Sequence, residues 1–131
     1  MERNSNPRNA GDTCSPAWIE GVPVAITVCD VHANIIAMNP AAHRRYSRQG
    51  GLALIGTSLL NCHPEHAQRR ILNLLADDAT NSSIVEAGGK ATLLHQATWH
   101  DQGAVAGLIE FCIPLPADLL RYARVTESER K

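Results

Sequence analysis

The chain has 131 residues, with 12 basic and 13 acidic side chains and a formal net charge of −1. This near balance excludes the strong positive charge that draws a domain directly to nucleic acid or to an anionic membrane surface. No apolar run approaches the roughly 20 residues of a membrane-spanning helix, and the polar amino terminus lacks the apolar region of a secretory signal. Length, charge and hydropathy therefore predict one cytoplasmic domain that contacts neither nucleic acid nor a membrane.

Four cysteines lie far apart in the chain, at positions 14, 29, 62 and 112. None of them forms the Cys-x-x-Cys pair that is typical of zinc or redox sites. We expect reduced thiols that act mostly as small buried apolar groups.

The first third of the chain predicts a polar leader followed by a hairpin. Residues 1–16 are rich in Asn, Arg, Ser, Gly and Pro, and we expect them to be disordered. The apolar runs Val24–Asp30 and Ile35–Asn39 flank a short polar connection, which favours two antiparallel strands. Asp30 and Asn34 are the turn formers of that connection.

Two helices are predicted in the middle third. Asn39 is a good N-cap and Pro40 suits the first helical position, so a short helix is expected over Pro40–Arg48. A longer helix is expected to begin near Pro64 and to fade around Asp77. Its apolar stripe consists of Ala67, Ile71, Leu74 and Leu75 at helical spacing, with Leu72 beside them.

The last third predicts three strands and a final helix. Gly88-Gly89 and Asp101–Gly103 are hairpin signals. They separate strands that are expected over Ser82–Ala87, Ala91–His100 and Ala104–Ile113, the last of them closed by Pro114 and Pro116. A final helix is expected over Ala117–Val125, with a narrow apolar stripe of Leu119, Leu120 and Ala123.

The order of these elements and three local segments resemble a PAS domain. The segment ITVCDVHANIIAMNPAA is similar to the opening PAS hairpin, although Asn34 stands where many members carry a Gly in the turn. The segment IGTSLLNCHPEHAQRRILNLL resembles a PAS subgroup in which Asn-Cys-His-Pro opens the long helix. The segment WHDQGAVAGLIEFCI is similar to the closing hairpin, with Gly107 interrupting its second strand.

The resemblance implies an α+β fold with a five-stranded antiparallel sheet and a helical block between strands 2 and 3. It implies a PAS domain over residues 17–114, after a disordered leader at 1–16. Residues 115–131 are then expected to form a C-terminal linker or signalling helix. PAS domains sense ligands, redox state or light, or mediate association, so the fold narrows the class of function without naming a ligand.

Candidate pocket residues come from the long helix and from the last two strands. His63 continues the apolar helix stripe at three- and four-residue steps, whereas His66 lines up with a polar face. Along the 91–100 strand, His95 and Trp99 share one face, and the sequence leaves open whether that face meets the cavity or covers the outside of the sheet. The candidate pocket set is His63, Ala67, Ile71, Leu75, His95, Trp99, Ile109 and Phe111.

The cofactor stays unknown from the sequence, and haem is one candidate. Some PAS sensors hold haem through a His in this helical region, which makes His63, or else His95, the candidate axial ligand. The alternative is that His63 is a helix-start residue that bonds backbone groups and needs no cofactor.

Flavin and zinc are not expected. Asn61-Cys62 matches the start of the Asn-Cys-Arg-Phe segment of flavin-binding light sensors, but His63-Pro64 replaces the next two residues. A zinc site built from Cys62, His63 and His66 needs a fourth ligand from the sheet, and adjacent ligands at a helix start diverge.

These features together predict a sensory or regulatory domain that binds a small ligand, forms a homodimer, or does both. It would act on an effector domain or partner protein. Catalysis is not expected, because Cys29 and Asp30, the nearest approach to a nucleophilic site, point to opposite faces of their strand. The alternatives are a haem-based redox or gas sensor and a ligand-free interaction module. The residues expected at a dimer or signalling surface are Trp18, Leu119, Leu120 and Ala123.

Overall fold

The computed structural model describes residues 15–126, so most of the expected leader lies outside the described residues. The chain forms a five-stranded sheet in the order β2-β1-β5-β4-β3, and each adjacent pair is antiparallel. The strands are β1 (Ala25–Asp30), β2 (Ile35–Met38), β3 (Thr80–Ala87), β4 (Lys90–Asp101) and β5 (Ala104–Leu115). The predicted five-stranded antiparallel sheet, with helices between its second and third strands, is therefore confirmed.

Three α-helices and a series of 3₁₀ turns accompany the sheet. The helices are α1 (Ala17–Gly21), α2 (Pro40–Arg45) and α3 (Glu65–Asp77). The 3₁₀ turns at Ser47–Gln49, Gly51–Leu54 and Leu59–Cys62 connect α2 to α3. The helix α2 ends three residues earlier than predicted, and its last turn passes directly into the first of these 3₁₀ turns.

Asn39 confirms the predicted N-cap and also ties the first helix to the sheet. Its side-chain oxygen accepts from the backbone N–H of Ala42 at 3.0 Å and from that of Ile26 at 2.9 Å. Its amide nitrogen donates to the carbonyls of Val24 and Ile19. Because Asn39 is 3% exposed, these four bonds satisfy a buried amide and fix α1, β1 and α2 relative to one another.

The turn between β1 and β2 is held by Asp30, as the sequence predicts. The Asp30 carboxylate accepts from the backbone N–H groups of His32 and Asn34. The left-handed residue is Ala33, with φ 64°, and not Asn34, which instead pairs with Ser58. Ala33 is fully buried, so its small side chain suits a site that leaves no room for a larger one.

The two faces of the sheet have different surroundings. The inner face, which α2 and α3 cover, carries Ala25, Thr27 and Cys29 of β1 and every second residue of β5. The core cluster combines these residues with Ile35, Leu59, Ile71 and Leu74 among others. The outer face lies opposite and receives no cover from α2 or α3. Strand alternation therefore sorts the side chains of the last two strands into a helix side and an outer side.

The predicted C-terminal helix is not formed within the described residues. After β5 ends at Leu115, positions 117–118 form a turn, and 119–126 are neither helix nor strand. Leu119 and Leu120 are 61% and 69% exposed, and Ala123 is exposed as well. A narrow apolar stripe does not stabilise a short helix unless the stripe packs against another surface. The helix predicted from the spacing of these residues is therefore wrong for 117–125.

Among the residues that the structure describes, no helix combines the length and the apolar character needed to cross a membrane.

A glycine in β5 lets Trp99 bridge three strands. Gly107 pairs with Trp99 on one side and with Asp30 on the other. The Trp99 indole N–H donates to the Cys29 carbonyl at 3.0 Å, so the ring reaches from β4 across β5 to β1. A Cβ at position 107 would collide with the Cys29 carbonyl oxygen and lie 2.7 Å from the indole nitrogen.

We predict that Gly107→Ala destabilises the domain by about 3 kcal/mol, because backbone and indole must both move to admit one methyl group. Denaturant unfolding measures the loss. Gly21→Ala is the matched control, since no atom beyond the chain neighbours and the backbone of its own helix lies within 4 Å of a Cβ built there, and it should change stability by no more than about 0.5 kcal/mol. Equal stability of the two variants would contradict the assigned packing of Trp99.

Candidate functional site

A cleft opens between the end of α2, the start of α3 and the inner face of strands β3 to β5. Its volume is about 360 Å³. It is lined by Arg45, Tyr46, Cys62, His63, Pro64, His66, Ala67, Arg70, Ser83, Val85, Leu94 and Cys112. The cleft therefore joins the two helices to three of the five strands, and a molecule bound in it would contact all of these elements.

A buried carboxylate, Glu110, lies in the sheet beside this cleft. It occupies the middle of β5, the central strand, two residues before Cys112 and on the same face. Glu110 is 1% exposed. Its Oε2 accepts from the side-chain amide of Gln96 at 2.6 Å, and Asn81 in turn donates to Gln96 at 3.0 Å. Three adjacent strands thus share one line of buried polar side chains.

His63 supplies the counter-charge for Glu110 from the helix side. It lies in extended backbone just before α3, with φ −132° and ψ 146°, and its Nε2 is 3.2 Å from Oε2 of Glu110. Its Nδ1 lies 2.9 Å from the carbonyl oxygen of Leu59. Gln68 of α3 donates to the carbonyls of Leu60 and His63, so the segment that carries the imidazole is held at both ends.

The partners of His63 define its protonation. A carbonyl oxygen only accepts, so Nδ1 carries a proton and donates to Leu59. Burial by itself lowers the pKa of His63, but the hydrogen bond and negative charge of Glu110, helped by the Leu59 carbonyl, outweigh burial and raise the pKa above 6.5. The position beside Glu110 therefore favours the protonated form of the His63 imidazole, and opposite charges placed together offset part of the cost of their desolvation.

The thiols of the site are poor nucleophiles. Burial raises the pKa of Cys62 and of Cys112, and the nearby Glu110 charge raises both further. Burial likewise raises the pKa of Cys29, deeper in the core, to about 11. Nucleophilic chemistry needs the thiolate, so these side chains serve as small apolar packing groups and cleft walls.

The structure does not bring the eight predicted pocket residues together. His63 and Ala67 line the cleft. Ile71 is fully buried in the core, and Leu75 packs against that core, so both lie behind the cleft wall.

The pairing register of β4 and β5 corrects the prediction that four strand residues line the pocket. These residues are His95, Trp99, Ile109 and Phe111. His95 pairs with Phe111 and is one residue out of phase with Gln96 and Glu110, so all four side chains belong to the outer face. Trp99 bonds the Cys29 carbonyl, and His95 bonds Ser82 at 2.6 Å and contacts the Phe111 ring. The helices cover the opposite face, which is why the strand residues and His63 do not share a cavity.

Haem does not fit at either predicted ligand. Both ring nitrogens of His63 already face protein partners, Leu59 and Glu110. Iron ligation through Nε2 would leave the Glu110 carboxylate buried without its counter-charge, which is costly. His95 lies on the outer face, away from the cleft. Within residues 15–126, no three His, Cys, Asp or Glu side chains are grouped so as to hold a metal ion.

The sequence reasoning missed Glu110, Gln96, Arg45 and Arg70. Glu110 lies at an inward position of β5, a strand that is otherwise apolar on both faces. A charged residue in phase with Leu108 and Cys112 was the available signal. Arg45 and Arg70 lie on two different helices, and nothing in the local sequence relates them. Their place at one cleft depends on how α2 and α3 meet across the sheet.

Solved structures share this architecture. The chain is similar to the PAS domain of BvgS from Bordetella pertussis, with a TM-score of 0.58 and 17% identity over 78% of this chain and 84% of that chain. It is similar to the Aer2 receptor of Vibrio cholerae, described as a dual PAS-haem oxygen sensor, with a TM-score of 0.53 and 19% identity over 71% and 95% of the two chains.

A third similar structure is the Vibrio cholerae VqmA dimer, a LuxR-type receptor, with a TM-score of 0.63 and 16% identity over 84% of this chain and 56% of that chain. No protein-family model matches the sequence, and a search of curated proteins finds no match. The structural likeness shows that the chain has a PAS-like fold.

We predict that Glu110→Gln reverses the direction of the His63 pKa shift. In the wild type the pKa lies above 6.5 because of Glu110, and in the variant burial dominates and brings it to 6.5 or below. Titration of the His63 ring by NMR measures both values. A pKa that is unchanged in the variant would contradict the assigned ion pair.

The same variant has a stability readout. A raised folded-state pKa means that protonated His63 stabilises the wild type fully below about pH 6.5, and that this stabilisation is lost as the pH rises through the folded-state pKa. Glu110→Gln should lack that loss between pH 6 and pH 9. Denaturant unfolding at both pH values checks the difference.

Proposed function

We propose that this PAS-like chain is a sensory or regulatory domain that binds a small molecule in the cleft between α3 and the inner face of the sheet. The observation that carries the proposal is the cleft itself, one wall of which is the held imidazole of His63. A ligand there contacts α2, α3 and the strands β3 to β5 at once. Binding sites for small molecules are typically concave and largely apolar, with a few polar groups that orient the ligand.

The buried polar line gives ligand occupancy a route to the sheet. His63 faces the cleft and pairs with Glu110 of β5, which bonds Gln96 of β4, which accepts from Asn81 of β3. A ligand that moves or bonds His63 changes the pairing of a buried charge, and such networks respond as a unit. We propose that this line transmits binding to an effector domain or partner protein.

The similar structures support this proposal by their described roles. Aer2 is described as an oxygen sensor with haem, and one VqmA structure is described as bound to DPO. In this chain the nitrogens of His63 are engaged by protein groups, so we favour an organic ligand over haem. We place the domain in the cytoplasm and assign it no catalytic step.

The outer face of the sheet supports association with a second copy of the chain. It carries Leu93, Ile109, Phe111 and Ile113 in register, and neither α2 nor α3 covers it. Ile84 on β3 is 59% exposed beside them, and Trp18 on α1 is 68% exposed. Contiguous apolar surface on a sheet is typical of protein interfaces, so we propose a homodimer through this face, with Trp18 at its border.

We predict that Ala67→Phe abolishes ligand binding by filling the cleft from α3. A ligand at 100 times its Kd stabilises the folded state by about 2.7 kcal/mol, and this stabilisation should vanish in the variant. Thermal unfolding with a library of small organic molecules measures it. Ala76→Phe places the same ring on an exposed position of α3 outside the cleft lining, and it should respond as the wild type does. A library hit that stabilises Ala67→Phe equally would place the ligand elsewhere.

We predict that Ile113→Glu converts a dimer into a monomer, because it puts a charge into an apolar contact on the outer face. Sedimentation velocity measures the mass. Leu72→Glu adds the same charge to an exposed site on α3 and should leave the dimer intact. A wild-type chain that sediments as a monomer at all concentrations would rule out the homodimer.

A further inference from the structure

The cleft has an uneven distribution of charge. Two arginines, Arg45 from α2 and Arg70 from α3, line it together with His66, and the twelve lining residues include no Asp or Glu. In the part of the chain that the structure describes, no acidic side chain forms an ion pair with either arginine. The chain as a whole has a net charge of −1, so this cationic rim is local and does not reflect a generally basic surface.

The charge of Arg45 acts on the cleft wall. Burial raises the pKa of Cys112, and the Arg45 guanidinium opposes that rise. It acts in the same direction on Tyr46, whose pKa burial also raises. Cys112 and Tyr46 both line the cleft, so the guanidinium lies near enough to these walls to meet a bound molecule.

The remaining lining is largely apolar. Ala67 and Pro64 from the helix side face Val85 and Leu94 from the sheet. Val85 is 41% exposed, which leaves apolar surface open at the edge of the cleft. Glu110 lies outside the lining, is 1% exposed and pairs with His63 and Gln96. Besides burial, its charge still raises the pKa of the cleft residues Cys62, Tyr46 and Cys112.

From this arrangement we infer that the ligand is a small amphipathic organic anion, with a carboxylate or similar acidic group between Arg45 and Arg70 and an apolar body against Val85 and Leu94. Two guanidinium groups in the lining of one cleft suit a planar oxyanion, since each can donate two parallel hydrogen bonds. The apolar walls contribute affinity by removing the body of the ligand from water. This inference rests on the proposed function, because it names the chemical class of the ligand for the same cleft.

Three probes of one chain length test the inference: octanoate, octan-1-ol and octylammonium. Each is titrated into the ¹⁵N-labelled chain at pH 7, and shifts of the backbone amides of the cleft residues report binding. We expect octanoate to bind in the cleft at least tenfold more tightly than octan-1-ol, and octylammonium to bind most weakly.

Two double variants test whether the preference for octanoate depends on the two cleft arginines or on the total positive charge of the chain. The pair Arg45→Gln and Arg70→Gln should reduce octanoate affinity to that of octan-1-ol, whereas the pair Arg48→Gln and Arg69→Gln removes the same charge outside the cleft and should retain the preference. The single variant Arg70→Gln changes an exposed helix position and should lose part of the preference for octanoate over octan-1-ol. It provides the test if the double variant does not fold.

Two results would overturn the inference that the ligand is an anion and leave the proposed function standing. One is equal affinity of the cleft for octanoate and octan-1-ol. The other is an unchanged preference for octanoate in the Arg45 and Arg70 variants. Absence of cleft shifts with all three probes would overturn both.

Discussion

One buried carboxylate constrains much of this molecule. Glu110 lies on the central strand of the sheet and is shut off from water by the helices. A charge in that position is tolerated only if it is paired and hydrogen-bonded. His63 and Gln96 both meet its Oε2, whereas its buried Oε1 has no hydrogen-bond partner among the described residues. Each of the two partners is itself held, His63 by Leu59 and Gln96 by Asn81. The segment before α3 and the strands β3 and β4 are therefore all positioned by one charged group.

This constraint also explains the character of the cleft. The carboxylate lies behind the wall, where it pairs with His63, and the lining itself carries only basic and neutral side chains. The imidazole that pairs with it forms part of the lining, which makes the ion pair sensitive to whatever lies in the cleft. In the proposed function, sensing and transmission thus share residues. The outer face, which α2 and α3 leave uncovered, carries the apolar side chains that we assign to association.

Local signals in the sequence predicted local structure well, because each rests on interactions within a few residues. The Asn39-Pro40 cap and the Gly88-Gly89 turn needed no distant partner. The helix expected over 117–125 is absent from the described residues, where Leu119 and Leu120 are exposed. Periodicity records only which residues share a face, and a short helix needs that face to be packed. His63 was expected to face inward on helical spacing. It does so from extended backbone before α3, held there by Leu59 and Glu110.

The sequence alone determined the order of the five strands, the helical block between the second and third of them, the hairpins and the grouping of strand residues into two alternating sets. Side-chain alternation follows from the backbone geometry of any strand, so His95 was correctly grouped with Trp99. Only the tertiary structure decided which set the helices cover, because that choice depends on how α2 and α3 cross the sheet over long sequence separations. It placed Glu110 inside and His95 outside, and it brought Arg45 and Arg70 from two helices to one cleft.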